Sequence, residues 1–205
     1  MKKTYVLICS EPRGGSHEVA NWLKKHLLRS GRFATGVSAT EVVGGLVSEL
    51  KGEAPRDLVS LGFFDGLGGT LVSHGALRQK GFWGRLSRME AERRLEGVKV
   101  DSAYVIISGL PYAEDLSQFP NSCKVWVYCP EEKRILMDPA SIPDRHPSRF
   151  SFDLYLGDDV FDYSATLYED TPENEAKRLQ QFLLMKETPE FKVLSEEGGE
   201  ECLLV

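Results

Sequence analysis

The chain lacks the features that would place it in several large classes. Its four cysteines, Cys9, Cys123, Cys129 and Cys202, show no Cys-x-x-Cys spacing, and its four histidines are scattered, so no metal-ligand pattern can be written. Cys9, Cys123 and Cys129 sit in or beside apolar strand-like runs, which predicts buried, reduced thiols and a cytoplasmic setting. No apolar run approaches the roughly 18–20 residues that span a bilayer. Behind Met1-Lys2-Lys3-Thr4 the apolar stretch is too short for a signal peptide. Cys202-Leu203-Leu204-Val205 fits a C-a-a-X prenylation box in form. The acidic segment Ser195–Glu201 ahead of it would be repelled from an anionic membrane, so a chance match and no membrane association are expected. Basic excess is also missing: the formal net charge of −6 argues against general nucleic-acid binding. There is no internal repeat and no Gly-x-Ser-x-Gly nucleophile elbow.

What is present reads as an ordinary globular chain. With 205 residues, 41% of them apolar and 27% charged, a single domain over residues 1–187 with a buried core is expected. The acidic stretch 188–205 reads as a flexible tail. Tyr5-Val6-Leu7-Ile8 predicts a first strand. Val19, Trp22, Leu23 and Leu27 recur at helical spacing, and Ser30-Gly31 supplies a stop. Residues 33–38 suggest a short strand, and 39–51 a helix weakened by Gly44-Gly45. Gly62 to Gly84 holds seven glycines with His74, Arg78 and Lys80 interleaved, either a lid over a substrate or a solvated connection. Phe82 to Glu96 predicts a helix with Trp83, Leu86 and Met89 inward and a mixed-charge, ion-paired outer face. Ala103–Ile107 and Lys124–Tyr128 are unbroken apolar runs suited to central parallel strands. A last strand, 163–168, precedes Thr171-Pro172, a good N-cap and first helical residue. Strands alternating with helices predict a three-layer αβα domain with a mostly parallel sheet.

The chemistry concentrates at Cys9-Ser10-Glu11-Pro12-Arg13-Gly14-Gly15-Ser16-His17. A glycine turn from strand into helix gathers unpaired backbone N–H groups at the positive end of the helix dipole, a seat for phosphate or sulfate. Pro12, Arg13, Gly14, Gly15, Ser16 and His17 are the expected donor-binding residues, with Arg13 adding a bidentate positive fork. The Gly-Lys-Ser/Thr that closes a nucleoside-triphosphate P-loop is absent, its places reading Gly15-Ser16-His17. In an open parallel sheet ligands bind beyond the carboxyl ends of the strands. Ser108-Gly109, Cys129-Pro130-Glu131 and Glu169-Asp170 would converge there with the glycine turn.

Pro12-Arg13-Gly14-Gly15-Ser16 resembles the Pro-Arg/Lys-x-Gly-Ser/Thr loop of sulfotransferases. Phe119-Pro120-Asn121-Ser122-Cys123-Lys124 and Tyr168-Glu169-Asp170-Thr171, the latter with Phe182-Leu183, resemble two further segments of that family, in its order. The resemblance implies a P-loop NTPase-like core. It also implies transfer of a sulfuryl group from 3′-phosphoadenosine 5′-phosphosulfate, a small nucleotide-type donor, to a hydroxyl or amine. Arg13 would stabilise the departing group and His74 would serve as general base, chosen over His17 because it can approach from the acceptor side. The chain departs from the family at Cys129, where an arginine grips the donor's 3′-phosphate; Lys133 and Arg134 lie nearby. A rival resemblance is to phage-type deoxynucleoside monophosphate kinases, carried by Gly81-Phe82-Trp83, Tyr104–Gly109 and Phe161-Asp162-Tyr163, with a degenerate phosphate loop. A flavodoxin-like flavin reductase and a non-enzymatic interaction protein on the same scaffold are further alternatives. No metal is expected. His26 and His146 are expected at the surface.

Overall fold

The computed structural model describes residues 1–10, 14–50, 81–110, 112–130, 161–167 and 170–188, with the backbone alone at 44 and 46–50. β1 (Lys2–Ser10) leads through Gly14-Gly15 into α1 (Ser16–Arg29). β2 (Ala34–Ser38) follows, then α2 (Ala39–Leu50) and α3 (Phe82–Leu95). β3 (Ser102–Ser108), a one-turn helix α4 (Ala113–Leu116), β4 (Cys123–Tyr128), β5 (Tyr163–Thr166) and α5 (Pro172–Lys186) complete the described chain.

The five strands form one sheet in the order β2-β3-β1-β4-β5, and every pairing is parallel. Parallel strands need crossovers, which here put helices on both faces and bury the middle of the sheet from both sides. Val6, Leu7, Ile8, Val105, Ile106 and Ile107 accordingly have no exposed surface. The alternating residues of β1 feed two separate cores. Val6 and Ile8 face α1 and α5, meeting Leu23, Leu27, Leu179 and Leu183. Leu7 and Cys9 face α2, α3 and α4, with Trp83, Leu95, Leu116 and Phe119. This is the expected three-layer α/β architecture.

Local signals hold where the backbone itself enforces them. α1 ends in a Schellman turn: Gly31 takes φ 76°, Gly31 N–H donates to Leu28 O at 3.1 Å and Arg32 N–H to Leu27 O at 2.9 Å. Thr171 caps α5, its Oγ1 accepting from Asn174 N–H at 3.2 Å, with Pro172 in the first turn. β4 departs from the expectation of a strand covered on both faces. Cys123, Val125 and Val127 are buried, whereas Lys124 and Trp126 are half-buried and Tyr128 is exposed.

α3 also departs from its reading. Its buried stripe is the i, i+4 series Trp83, Ser87, Ala91 and Leu95 with Gly84 beside it, rich in small residues, while Met89 is exposed. Small side chains let the helix approach α4 closely, so side-chain bulk misleads about which face turns inward. The outer face is ion-paired as expected. Glu90 accepts from Arg93 at 2.7 Å and from Arg94 at 2.7 Å, and hydrogen bonding to these arginines lowers its carboxyl to about 2. His26, expected at the surface, is buried on α1 beside Trp22, with Gln180 of α5 donating to its carbonyl at 3.0 Å.

Cys9, Cys123 and Cys129 are buried, and burial pushes the Cys9 thiol up to about 12 and that of Cys123 to about 11. Among the described residues no helix is long and apolar enough to cross a membrane. The tail expected from 188, apart from Thr188 itself, lies outside the described residues.

Candidate functional site

The turn from β1 into α1 sits at the carboxyl edge of the sheet. The register pairs Ile8 with Ser108 and Ser10 with Val127, so β3 and β4 end on either side of it. Gly15 is the N-cap of α1 in the left-handed conformation, φ 89° and ψ 9°. A Cβ there would be strained and would stand 2.6 Å from Leu167 Cδ1. Leu167 follows β5 and is itself buried, so a glycine is what lets the turn fold down onto the core.

No side chain caps the start of α1, and its first backbone bond runs from Val19 N–H to Gly15 O at 3.0 Å. The N–H groups of Ser16, His17 and Glu18 therefore have no intrahelical acceptor, and the dipole adds partial positive charge where they point. Ser16 is buried at the first helical position. Gly14, Gly15, Ser16 and His17 are thus brought together as one turn. Pro12 and Arg13, the other two residues expected to hold a donor, lie outside the described residues, as do His74 and the glycine-rich segment up to residue 80; its last glycines, Gly81 and Gly84, are the N-cap and first turn of α3.

His17 is fixed by a contact invisible in the sequence. Its Nδ1 lies 2.9 Å from Ser108 Oγ, at the end of β3 and 91 residues away. Ser108 is buried, and Gly109 beyond it has φ 76°; a Cβ there would come within 2.9 Å of His17 Cε1 and 3.0 Å of Thr40 Oγ1. β3 thus ends in a glycine because the imidazole and the start of α2 occupy the space. A cleft of about 130 Å³ opens beside this pair, with Asn21 and Lys24 of α1, Ser38 at the end of β2, Glu41 of α2 and Arg94 of α3 on its walls.

The other converging loops contribute less. Cys129 is buried, so the place where sulfotransferases carry a phosphate-gripping arginine faces the core. Asp170 pairs with Arg178 and accepts from Thr171 N–H at 2.9 Å, anchoring the start of α5. Glu131, Lys133, Arg134 and Glu169 lie outside the described residues.

Sequence reasoning missed Asp115 entirely. This carboxylate has no exposed surface and accepts from Gly84 N–H at 2.8 Å and Tyr112 N–H at 3.2 Å, so it caps α3 from another element. Burial raises it to about 6 against those bonds. Nothing local in Tyr112-Ala113-Glu114-Asp115 marks a cap for a helix 31 residues earlier.

A larger cavity, about 440 Å³, opens at the opposite edge, where Lys2, Ser102 and Cys123 begin their strands. Its charges are mostly matched. Glu187 pairs with Arg32 at 3.4 Å and accepts from Tyr104 Oη, and Lys186 lies 3.7 Å from Asp162.

The five-stranded parallel sheet with helices on both faces is a fold shared with several solved kinases. The APS kinase of Mycobacterium tuberculosis, solved with AMPPNP and APS, superposes with a TM-score of 0.57 at 16% identity, covering 89% of this chain and 98% of that one. Shikimate kinase from Acinetobacter baumannii, solved with shikimate, gives 0.50 at 12% identity, with 90% and 94% covered. A sugar kinase from a Janibacter species gives 0.50 at 14% identity, with 92% and 98% covered. No protein-family model matches the chain, and no curated relative matches it. The likeness is one of fold, and it does not single out sulfotransferases.

Proposed function

We propose that this chain binds a nucleotide-type phosphate in the β1–α1 turn, on a nucleotide-kinase-like scaffold whose loop has lost the kinase lysine. The observation that carries the reading is Gly15. Its left-handed conformation, forced against Leu167, directs an uncapped helix N-terminus at the carboxyl edge of a parallel sheet. The kinase likeness supports the same ligand class. Phosphoryl transfer needs positive charge placed on the transferring group. With Ser16 in the lysine's place, Arg13 is the residue left to supply it, so binding is better supported than catalysis.

Transfer of a sulfuryl group from 3′-phosphoadenosine 5′-phosphosulfate, with Arg13 on the departing group and His74 as base, is the second reading. It is favoured by the Pro12-Arg13-x-Gly15-Ser16 loop and by the likeness to a kinase solved with APS. Buried Cys129 counts against it.

Thermal denaturation with ADP, deoxynucleoside monophosphates and adenosine 3′,5′-bisphosphate separates the two. A ligand at 100 times its dissociation constant stabilises the fold by about 2.7 kcal/mol. ADP or a monophosphate is expected to raise the melting temperature, and Arg13→Ala to reduce the shift. A shift with the bisphosphate alone would favour the sulfuryl reading. No shift with any of them would leave an interaction protein on this scaffold.

A further inference from the structure

We infer that this phosphate seat works without a divalent cation and takes a nucleoside mono- or diphosphate, the His17–Ser108 pair standing where a phosphotransferase of this fold holds its metal. The inference rests on the reading of the β1–α1 turn as a phosphate seat. In P-loop phosphotransferases the cation is held by the hydroxyl that closes Gly-Lys-Ser/Thr and by an aspartate. Magnesium demands near-octahedral oxygen coordination at about 2.0–2.1 Å.

This chain offers a different donor set. The hydroxyl's place is taken by His17, whose imidazole is a nitrogen ligand ill-suited to magnesium. The hydroxyl nearest to it, on Ser108, is buried and already bonded to His17 Nδ1 at 2.9 Å. Gly109, next along, has no side chain and no room for one. Two aspartates among the described residues are committed elsewhere: Asp115 caps α3 and Asp170 pairs with Arg178. Among the described residues no three His, Cys, Asp or Glu side chains cluster for a metal.

The pair instead offers a hydrogen-bond donor. In this assignment Ser108 Oγ–H donates to Nδ1, which puts the proton on Nε2, and Nε2–H donates to a phosphate oxygen. Ser108 is then a positioning residue that selects the tautomer. The ligand class follows from charge. A triphosphate without its cation brings about four negative charges to a chain of net charge −6. A mono- or diphosphate brings fewer and matches the few N–H groups available.

Calorimetric titration of the full chain with ADP, in excess magnesium chloride and again in excess EDTA, tests this. The dissociation constants should agree within about twofold, whereas a loss of tenfold or more in EDTA would overturn the inference while leaving the phosphate seat standing. Absence of binding in both conditions would overturn the phosphate seat itself, and this inference with it. His17→Gln should weaken binding roughly tenfold in both conditions, as loss of one hydrogen bond to a charged group would; unchanged affinity would remove the pair from the site. The ¹⁵N shifts of His17 should report the Nε2–H tautomer in the natural chain and lose that preference in Ser108→Ala. An Nδ1–H tautomer in the natural chain would contradict the assigned roles. Should either variant fail to fold, the magnesium and EDTA comparison on the natural chain still decides.

Discussion

Gly15 carries two constraints at once, a left-handed backbone and a 2.6 Å approach to Leu167 for any Cβ. The left-handed region costs a non-glycine residue roughly 1–2 kcal/mol, and Leu167 Cδ1, the end of a buried side chain, can yield only in part. Gly15→Ala should therefore lose about 1–3 kcal/mol in urea denaturation and weaken phosphate binding; an unchanged midpoint would show that the turn is not held as described. Asp115 makes a pH signature. Its carboxyl is raised to about 6 in the fold against 3.8 outside it, so the folded state holds the proton more tightly. Its contribution to stability is fully present below about pH 4 and lost as pH rises through 6, about 3 kcal/mol in all. Glu90 acts oppositely: lowered to about 2 from 4.5, it stabilises above pH 4.5 and fades as the pH falls toward 2. Stability measured by denaturant across pH 3.5 to 7 should show the Asp115 decline, and Asp115→Asn should flatten it. A natural chain with no decline between pH 4 and 6 would contradict a buried, desolvated carboxyl.

At the scale of elements, α3 shows why bulk is a poor guide to facing. Gly84 meets backbone: a Cβ there would lie 2.5 Å from Asp115 O and 2.9 Å from its Cα. Helix propensity alone would make Gly84→Ala a gain of up to about 1 kcal/mol. Backbone cannot step aside as a side-chain tip can, so a net loss of at least about 2 kcal/mol is expected by denaturant unfolding. Exposed Met89, changed to Lys, should stay within about 0.5 kcal/mol of the natural chain. A stabilised Gly84→Ala would mean that α3 and α4 are not in contact as drawn. Signals that were legible in the sequence are those written in the local backbone. Val-, Ile- and Leu-rich runs mark β1 and β3, Gly31 ends α1, and Thr171-Pro172 opens α5. Illegible ones depend on a partner element: the Asp115 cap, the small-residue face of α3, and the half-covered face of β4.

At the scale of the molecule, alternation of strands and helices was enough to foresee the layers and the edge where loops converge. The order of strands was not, because β1 pairs with β3 across about a hundred residues and nothing local encodes that choice. The same distance hid the His17–Ser108 bond. Two edges of the sheet now compete as ligand sites: the glycine turn, with uncapped N–H groups, and the larger cavity of about 440 Å³ lined by matched charges. Volume favours the second and chemistry the first. Amide chemical-shift mapping of the full chain during titration with ADP decides most directly. The account predicts that Gly14, Gly15, Ser16, His17 and Ser108 move first and furthest, and that Lys2, Ser122 and Lys186 stay still. Movement concentrated at Lys2, Ser122 and Lys186 would contradict it.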